Sequence, residues 1–306
     1  MRIFEGLSQL PSRGWPPTAL TIGNFDGVHR GHRSMIKKLN THALAAVAVQ
    51  TVVTFDPHPQ EVLHGQAPPR LITSDRKLEL LEEAGIQQVV VLKFDRSLSQ
   101  MEPEAFIEQI LVERLGAKVV VVGANFRFGR FARGDVTMLR SAGRTHKFVF
   151  ESVRLAELDG RRLSSTEVRH AIEAGDLGWA NSALGRPHSI PGRVVRGKGR
   201  GASLGFPTAN VEPMSDLCLP ALGIYAGRFK SSDEVWPAAV SVGTNPTFGT
   251  NPTTIEAYLL DFEGDLYGRE VEIEFLERLR GEQPFPDAQA LSAAIEQDVA
   301  RVRNIF

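Results

Sequence analysis

Two histidines three residues apart close the string Gly23-Asn24-Phe25-Asp26-Gly27-Val28-His29-Arg30-Gly31-His32. Its glycines let the backbone approach a ligand, and a helix opening here offers free N–H groups and partial positive charge, a cradle for phosphate. Both imidazoles reach one ligand and can donate hydrogen bonds to phosphate oxygens as charge builds in a nucleotidyl-transfer transition state. A second string, 197–210, reads GKGRGASLGFPTAN. Its glycines permit a loop that folds over phosphates, and Lys198 and Arg200 add charge. Thr208 and Asn210 offer oxygens two residues apart, which suits a Mg2+ carried in by nucleotide phosphates. On residue types alone this string is also compatible with a glycine-rich hairpin connection. Glu256, taken alone, reads as a solvated strand residue.

These residues need elements to hold them. The 306 residues suggest two domains, and 42% hydrophobic with 23% charged residues is ordinary for a globular chain. The net charge is −1, with 23 Lys and Arg against 20 Asp and Glu up to Leu184 and 12 against 16 after it. Neither balance suits a nucleic-acid binder, so phosphate must be met by local sites. The N-terminus has no signal-peptide pattern, and the longest apolar runs, such as 89–92 and 119–122, are too short to cross a bilayer. The single Cys218 fits a reducing cytoplasm.

Up to about Leu184, short apolar strands alternate with helical stretches. Strands are expected at 19–22, 47–55, 89–92 and 119–123, with helices at 31–44 and 75–84 and another opening at Pro103 and closing before Gly116. That alternation means a doubly wound parallel sheet, a Rossmann-like α/β domain whose ligands bind beyond the carboxyl ends of the strands. After 184–187 the pattern is mostly strand, at 193–196, 223–229, 236–243, 254–262 and 269–276. A closing helix from Asp287 carries Leu291, Ile295, Val299 and Val302 on one face. This predicts a small antiparallel β-barrel or sandwich with one terminal helix. The division expected is 1–184 and 185–306.

The first string resembles the His-x-Gly-His signature of the nucleotidyltransferases. In its longer form it is similar to the adenylyltransferase module of bacterial bifunctional riboflavin kinase/FMN adenylyltransferases, the FAD synthetases. TFDPHP at 54–59, VGANFRFG at 122–129 and LSSTEVR at 163–169 follow in family order, with Ser165 or Ser164 suited to cap a helix. The glycine-rich string resembles the riboflavin kinase loop ending Leu-Gly-Phe-Pro-Thr-Ala-Asn. GIYA at 223–226, VGTNPTF at 242–248 and EAYLLDFEGDLYG at 256–268 support it. The likeness covers about 19–305.

The resemblance implies ATP-dependent phosphorylation of riboflavin to FMN by the second domain, then adenylylation of FMN to FAD with release of pyrophosphate by the first. It implies that His29 and His32 act on ATP phosphates, with Gly23, Asn24, Phe25, Ser165, Thr166 and Arg169 as ATP or phosphate contacts. Asn125 would help hold nucleotide or FMN, and His58, Phe126 and Phe128 would approach the flavin. In the kinase, Gly197, Lys198, Arg200, Gly205, Thr208 and Asn210 would bind ATP. Thr208 and Asn210 would hold Mg2+, and Glu256 would be the general base. Riboflavin, FMN and ATP are then the partners, with no nucleic acid and no membrane, in the cytoplasm; a homo-oligomer stays open.

One departure matters. The family loop has Arg-Gly-Arg where this chain has Arg200-Gly201-Ala202, so a phosphate donor is missing unless Lys198 or Arg196 replaces it. A charge-assisted contact is worth roughly 1.5–3 kcal/mol, so weaker ATP affinity rather than a dead kinase is expected. Ala202→Arg should lower the kinase KM for ATP, and an unchanged KM contradicts this. The rival readings are a single live activity, a different adenylyltransferase, and a flavin sensor without turnover.

Overall fold

The computed structural model describes residues 1–11, 15–197, 201, 205–214, 216–232, 234–244 and 253–306. Lys198, Arg200, Ala202 and the segment 245–248 lie outside them. The chain forms two compact units, Met1–Pro68 with Thr73–Ser164, and Pro69–Ile72 with Ser165–Phe306.

The first unit is a six-stranded sheet of β1 (Arg2–Glu5), β2 (Thr18–Ile22), β3 (Val49–Asp56), β4 (Gln88–Lys93), β5 (Ala117–Gly123) and β6 (Val149–Val153). All its pairings are parallel, in the order β1-β4-β3-β2-β5-β6. The connecting helices are α1 (Arg30–Ala46), α2 (Pro59–His64), α3 (Ser74–Glu83), α4 (Arg96–Ser99), α5 (Pro103–Ala105) and α6 (Val136–His146). The helix expected from Pro103 continues from α5 as a π-helix over Phe106–Arg114. Every residue of β2 is buried, as a central strand covered on both faces requires. The order of strands turns back between β2 and β5, and that reversal point is where such sheets bind ligands. The three motifs expected to act together leave from the ends of β2, β3 and β5, which are neighbours. A small hairpin follows, β7 (Glu157–Leu158) and β8 (Arg161–Arg162).

In the second unit, α7 (Ser165–Ala174) and α8 (Leu177–Leu184) precede a closed barrel of β9 (His188–Val195), β10 (Ala209–Pro213), β11 (Gly223–Ser231), β12 (Glu234–Thr244), β13 (Thr253–Leu259) and β14 (Glu270–Arg280). Its order is β10-β13-β12-β11-β14-β9, closed by the antiparallel pair β9 and β10. The terminal helix α9 (Ala288–Ile305) follows. Val302 and Val299 of this helix pack on Ala226, Leu260 and Leu279. The barrel expectation holds, and the sandwich alternative does not. Four residues from the first half of the sequence, Pro69–Ile72, join this unit. Arg70 N–H donates to the Asp216 carbonyl at 2.6 Å, and Cys218 N–H donates to the Arg70 carbonyl at 2.8 Å.

The barrel contains a buried neutral histidine. His188 is 1% exposed, and its Nε2–H donates to the Cys218 carbonyl at 2.8 Å. Burial pushes the imidazole down to about 4 from its ordinary 6.5, against the raising effect of that hydrogen bond. The unfolded chain therefore takes up the proton first as pH falls. His188 costs stability from about pH 6.5 downward, and the loss levels off below pH 4, a total of about 3 kcal/mol. Urea unfolding at pH 7 and pH 4 should show that share of the pH dependence disappearing in His188→Gln, which keeps a donor but does not titrate. Equal pH dependence in both proteins contradicts the assignment.

Candidate active sites

In the first unit, β2 ends in a turn that reverses sharply before α1. Phe25 and Val28 both take positive φ, 52° and 39°. For a β-branched, fully buried valine that is a strained conformation, of the kind that clusters where backbone placement serves a site. The turn delivers His29 to the N-cap of α1, where its Nδ1 accepts the His32 N–H at 3.3 Å. With Nδ1 accepting, a neutral His29 ring carries its proton on Nε2. The two rings stack with centroids 3.7 Å apart and planes at 20°, and Phe25 closes on His32 at 4.9 Å. A side chain at Gly31 would press its Cβ to 3.0 Å from the His29 ring, which explains the glycine between the histidines.

Packing holds His32 well below the ordinary histidine value, and the neighbouring His29 pushes it the same way. Its Nδ1 is out of reach of solvent and has no hydrogen-bond partner. The pair stands at a helix N-terminus with ring nitrogens that can serve as N–H donors, an arrangement that binds phosphate oxygens.

The Asn24 amide meets His58 Nε2 at 2.8 Å, while His58 Nδ1 accepts the Gln60 N–H at 3.2 Å and caps α2. Asn24 is thus fixed beside the turn. Asn125 is exposed just past β5, and its Oδ1 would lie 3.1 Å from a Cβ at Gly123. Phe126 and Phe128 stack at 5.6 Å and line a cavity of about 410 Å³ together with Phe55, Phe94, Phe106 and Phe131. His58 is not among the residues lining it; Pro59 and His64 are. An aromatic box of this kind suits a flat conjugated ring.

Ser165 and Thr166 open α7, which leaves Ser164 at the cap position. They belong to the second unit, as does Arg169. Arg169 is 8% exposed and its Nε–H donates to the Pro69 carbonyl at 2.6 Å.

In the barrel, Asn210 of β10 stands directly opposite Glu256 of β13, and the Thr208 hydroxyl donates to Glu256 Oε2 at 3.3 Å. Gly197 lies close to Asn210, because a Cβ there would collide with the Asn210 side chain. Gly205 is exposed in the same loop. Two cavities meet at these residues. One, of about 590 Å³, is lined by Thr208, Glu256, Tyr258 and residues of α9. The other, of about 670 Å³, is lined by Thr208, Tyr258 and the 261–267 loop. Thr208 and Tyr258 border both, so ligands in the two cavities face each other across them. The Thr208 hydroxyl, the Glu256 carboxylate and the Asn210 amide opposite it on β10 are hard oxygen donors of the kind that fits Mg2+.

Sequence reasoning missed several wall residues. Tyr258 follows Glu256 by two positions on one face of β13, so the strand period pointed to it. Asp298 lies on the apolar face of α9, three residues after Ile295, an unusual place for a carboxylate. Phe55, Phe94 and Phe106 carried no signal, since each reads as ordinary core.

Residues 12–167 match the family model described as FAD synthetase, and 184–306 match that described as riboflavin kinase. A bifunctional riboflavin kinase/FMN adenylyltransferase of Pseudomonas fluorescens is 38% identical over 308 residues, covering 100% of this chain and 98% of the relative. One of the same description from Haemophilus influenzae is 36% identical, covering 100% and 99%. A crystal structure from Streptococcus pneumoniae, described as a macrolide-efflux protein, superposes with a TM-score of 0.90 at 25% identity over 99% of both chains. That description denotes transport, whereas among the described residues here no helix is long and apolar enough to cross a membrane.

Proposed function

The chain belongs to the bifunctional riboflavin kinase/FMN adenylyltransferase family, and from that premise we propose how its two units divide the work. It phosphorylates riboflavin to FMN with ATP and adenylylates FMN to FAD with a second ATP. What supports the division is that the stacked histidines lie in one unit and Glu256, hydrogen-bonded to Thr208 beside two cavities, in the other. We assign the adenylyltransferase to 1–184 and the kinase to 185–306.

In the kinase step, riboflavin occupies the cavity bordered by α9 and ATP the adjoining one. Glu256 accepts the proton of the ribityl 5′-hydroxyl as that oxygen attacks the γ-phosphorus, and ADP leaves. Thr208 orients the carboxylate through its hydrogen bond. Thr208 and Asn210 are the residues that would hold Mg2+, which offsets charge on the ATP phosphates when bound. Gly197, Lys198, Arg200 and Gly205 are the residues of the glycine-rich string that bind ATP.

In the adenylyl step the nucleophile is an FMN phosphate oxygen, already ionised, so no base is required. It attacks the α-phosphorus of ATP, and pyrophosphate departs. His29 and His32 donate hydrogen bonds to the oxygens on which charge accumulates. Gly23, Asn24 and Phe25 shape the cradle, Asn125 contacts nucleotide or FMN, and Phe126 and Phe128 hold the isoalloxazine. We retain His58 as a residue that positions Asn24. Both reactions run in the cytoplasm.

The test is a chromatographic time course with riboflavin, ATP and Mg2+. FMN should appear first and FAD later, while FMN with ATP alone should give FAD and pyrophosphate. Flavin binding without turnover contradicts the reading.

A further inference from the structure

The cavity assigned to riboflavin is a row of residues on the outer face of the barrel. Asn210, Glu256, Ser241, Ile224 and Arg280 stand directly opposite one another across β10, β13, β12, β11 and β14. Directly paired residues in antiparallel strands share a face, so the row is continuous. From Glu256 to Arg280 is three strand spacings of about 4.8 Å, roughly 14 Å in all. Glu256, Ser241, Ile224 and Arg280 all line the 590 Å³ cavity, whose walls are otherwise largely apolar.

The far end of this row is charged. Arg280 Nε–H lies 3.2 Å and 3.1 Å from the two oxygens of Asp298, and an Nη2–H donates to Oδ2 at 2.8 Å. Asp298 is 5% exposed, which is tolerable for a carboxylate in an apolar wall because the guanidinium meets it with a two-pronged fork. Phe285 lies under the guanidinium at 5.5 Å. One Nη1–H donates to the Gly281 carbonyl at 3.3 Å. Of the five N–H donors of an arginine, these contacts use three, which leaves one on each Nη.

A riboflavin with its 5′-hydroxyl at Glu256 runs its ribityl chain and tricyclic ring along this row. The tricycle hangs from the ribityl chain at its central ring, and one of its two ends is the pyrimidinedione, with two carbonyl oxygens on its rim. We propose that Arg280, aimed by Asp298, selects the isoalloxazine by donating a remaining N–H group to one of those carbonyl oxygens. The inference rests on the kinase reading above. Asp298 is a positioning residue, touching the flavin only through Arg280. An apolar pocket alone accepts any flat aromatic of the right size, whereas a half-buried, oriented donor penalises a ligand that leaves it unpaired.

The test uses the full-length enzyme and measures kinase rates with riboflavin and with 2-thio- and 4-thioriboflavin, whose sulfur atoms accept hydrogen bonds poorly. The native enzyme should favour riboflavin over at least one thio analogue. Arg280→Met should raise the riboflavin KM by about 10-fold or more, leave kcat and the ATP KM unchanged, and erase the preference over the thio analogues. Arg280→Lys keeps the ion pair without the planar fork and should fall between, which preserves the test if the methionine variant fails to fold. Asp298→Asn should raise the riboflavin KM without moving that for ATP. An unchanged riboflavin KM in Arg280→Met overturns the proposal. So does a raised KM with the thio discrimination intact, which marks Arg280 as structural. Absence of FMN formation by the native enzyme is a separate result, and it removes the kinase reading itself.

Discussion

Replacing both stacked histidines, His29→Ala with His32→Ala, is expected to abolish FAD formation from FMN while leaving FMN formation from riboflavin at its native rate. Removing one preorganised donor from a charged transition state costs about 100- to 1,000-fold in rate. In the proposed adenylyl step two donors serve one reacting phosphate, and their rings lie 3.7 Å apart with planes at 20°. A combined loss of at least about 1,000-fold follows, although the effects of such a pair are not additive. Alanine at 29 also removes the acceptor that caps α1, worth about 1 kcal/mol of helix stability. His29→Asn with His32→Ala keeps a capping acceptor, and it should be as inactive in the adenylyl step. Equal loss of both activities would contradict the division of labour, because the histidines lie in the unit without the kinase residues.

Glu256→Gln should give the mirror image. The amide preserves the shape of the side chain and can still accept the Thr208 hydroxyl, but it cannot take a proton from the attacking ribityl oxygen. General-base catalysis typically contributes 100- to 10,000-fold, so kcat for FMN formation should fall by about that factor. KM values for riboflavin and ATP should change little, since the cavities keep their walls. Conversion of supplied FMN to FAD should be untouched. A kinase rate within a few-fold of native means that proton removal by Glu256 is not what limits the reaction, and the assignment fails.

Much of this was legible in the sequence because the motifs sit where secondary structure is strongly periodic. The apolar runs of β2, β3 and β5 announce a parallel sheet, and each motif begins as its strand ends. Parallel pairing alone then brings three distant segments together. The barrel was harder to read. The expected strand at 193–196 is in fact β9 from His188, because Pro191 and Gly192 read as punctuation. Gly192 instead lies against β10, where a Cβ would stand 2.5 Å from the Glu212 carbonyl oxygen. β10 itself hides at the end of the glycine-rich string, and its pairing with β9 and β13 is a long-range fact that no local pattern carries.

The same limit applies to Pro69–Ile72, whose backbone joins the second unit from about 150 residues upstream of its partner segment. Site chemistry followed a similar division. Residues of distinctive type at motif spacing, such as His29, His32, Thr208 and Glu256, could be nominated from the sequence. Those singled out by burial and opposition, such as Arg280 with Asp298, needed three dimensions.

The central claim is that one chain holds two independent phosphate-transfer sites joined only by their shared intermediate. The most direct measurement mixes the His29→Ala, His32→Ala protein with the Glu256→Gln protein and follows riboflavin, FMN and FAD by chromatography. Neither alone should carry riboflavin through to FAD at an appreciable rate. Together they should make FAD after a lag during which free FMN accumulates. A mixture that accumulates FMN but makes no FAD, although the Glu256→Gln protein converts added FMN, would contradict the claim.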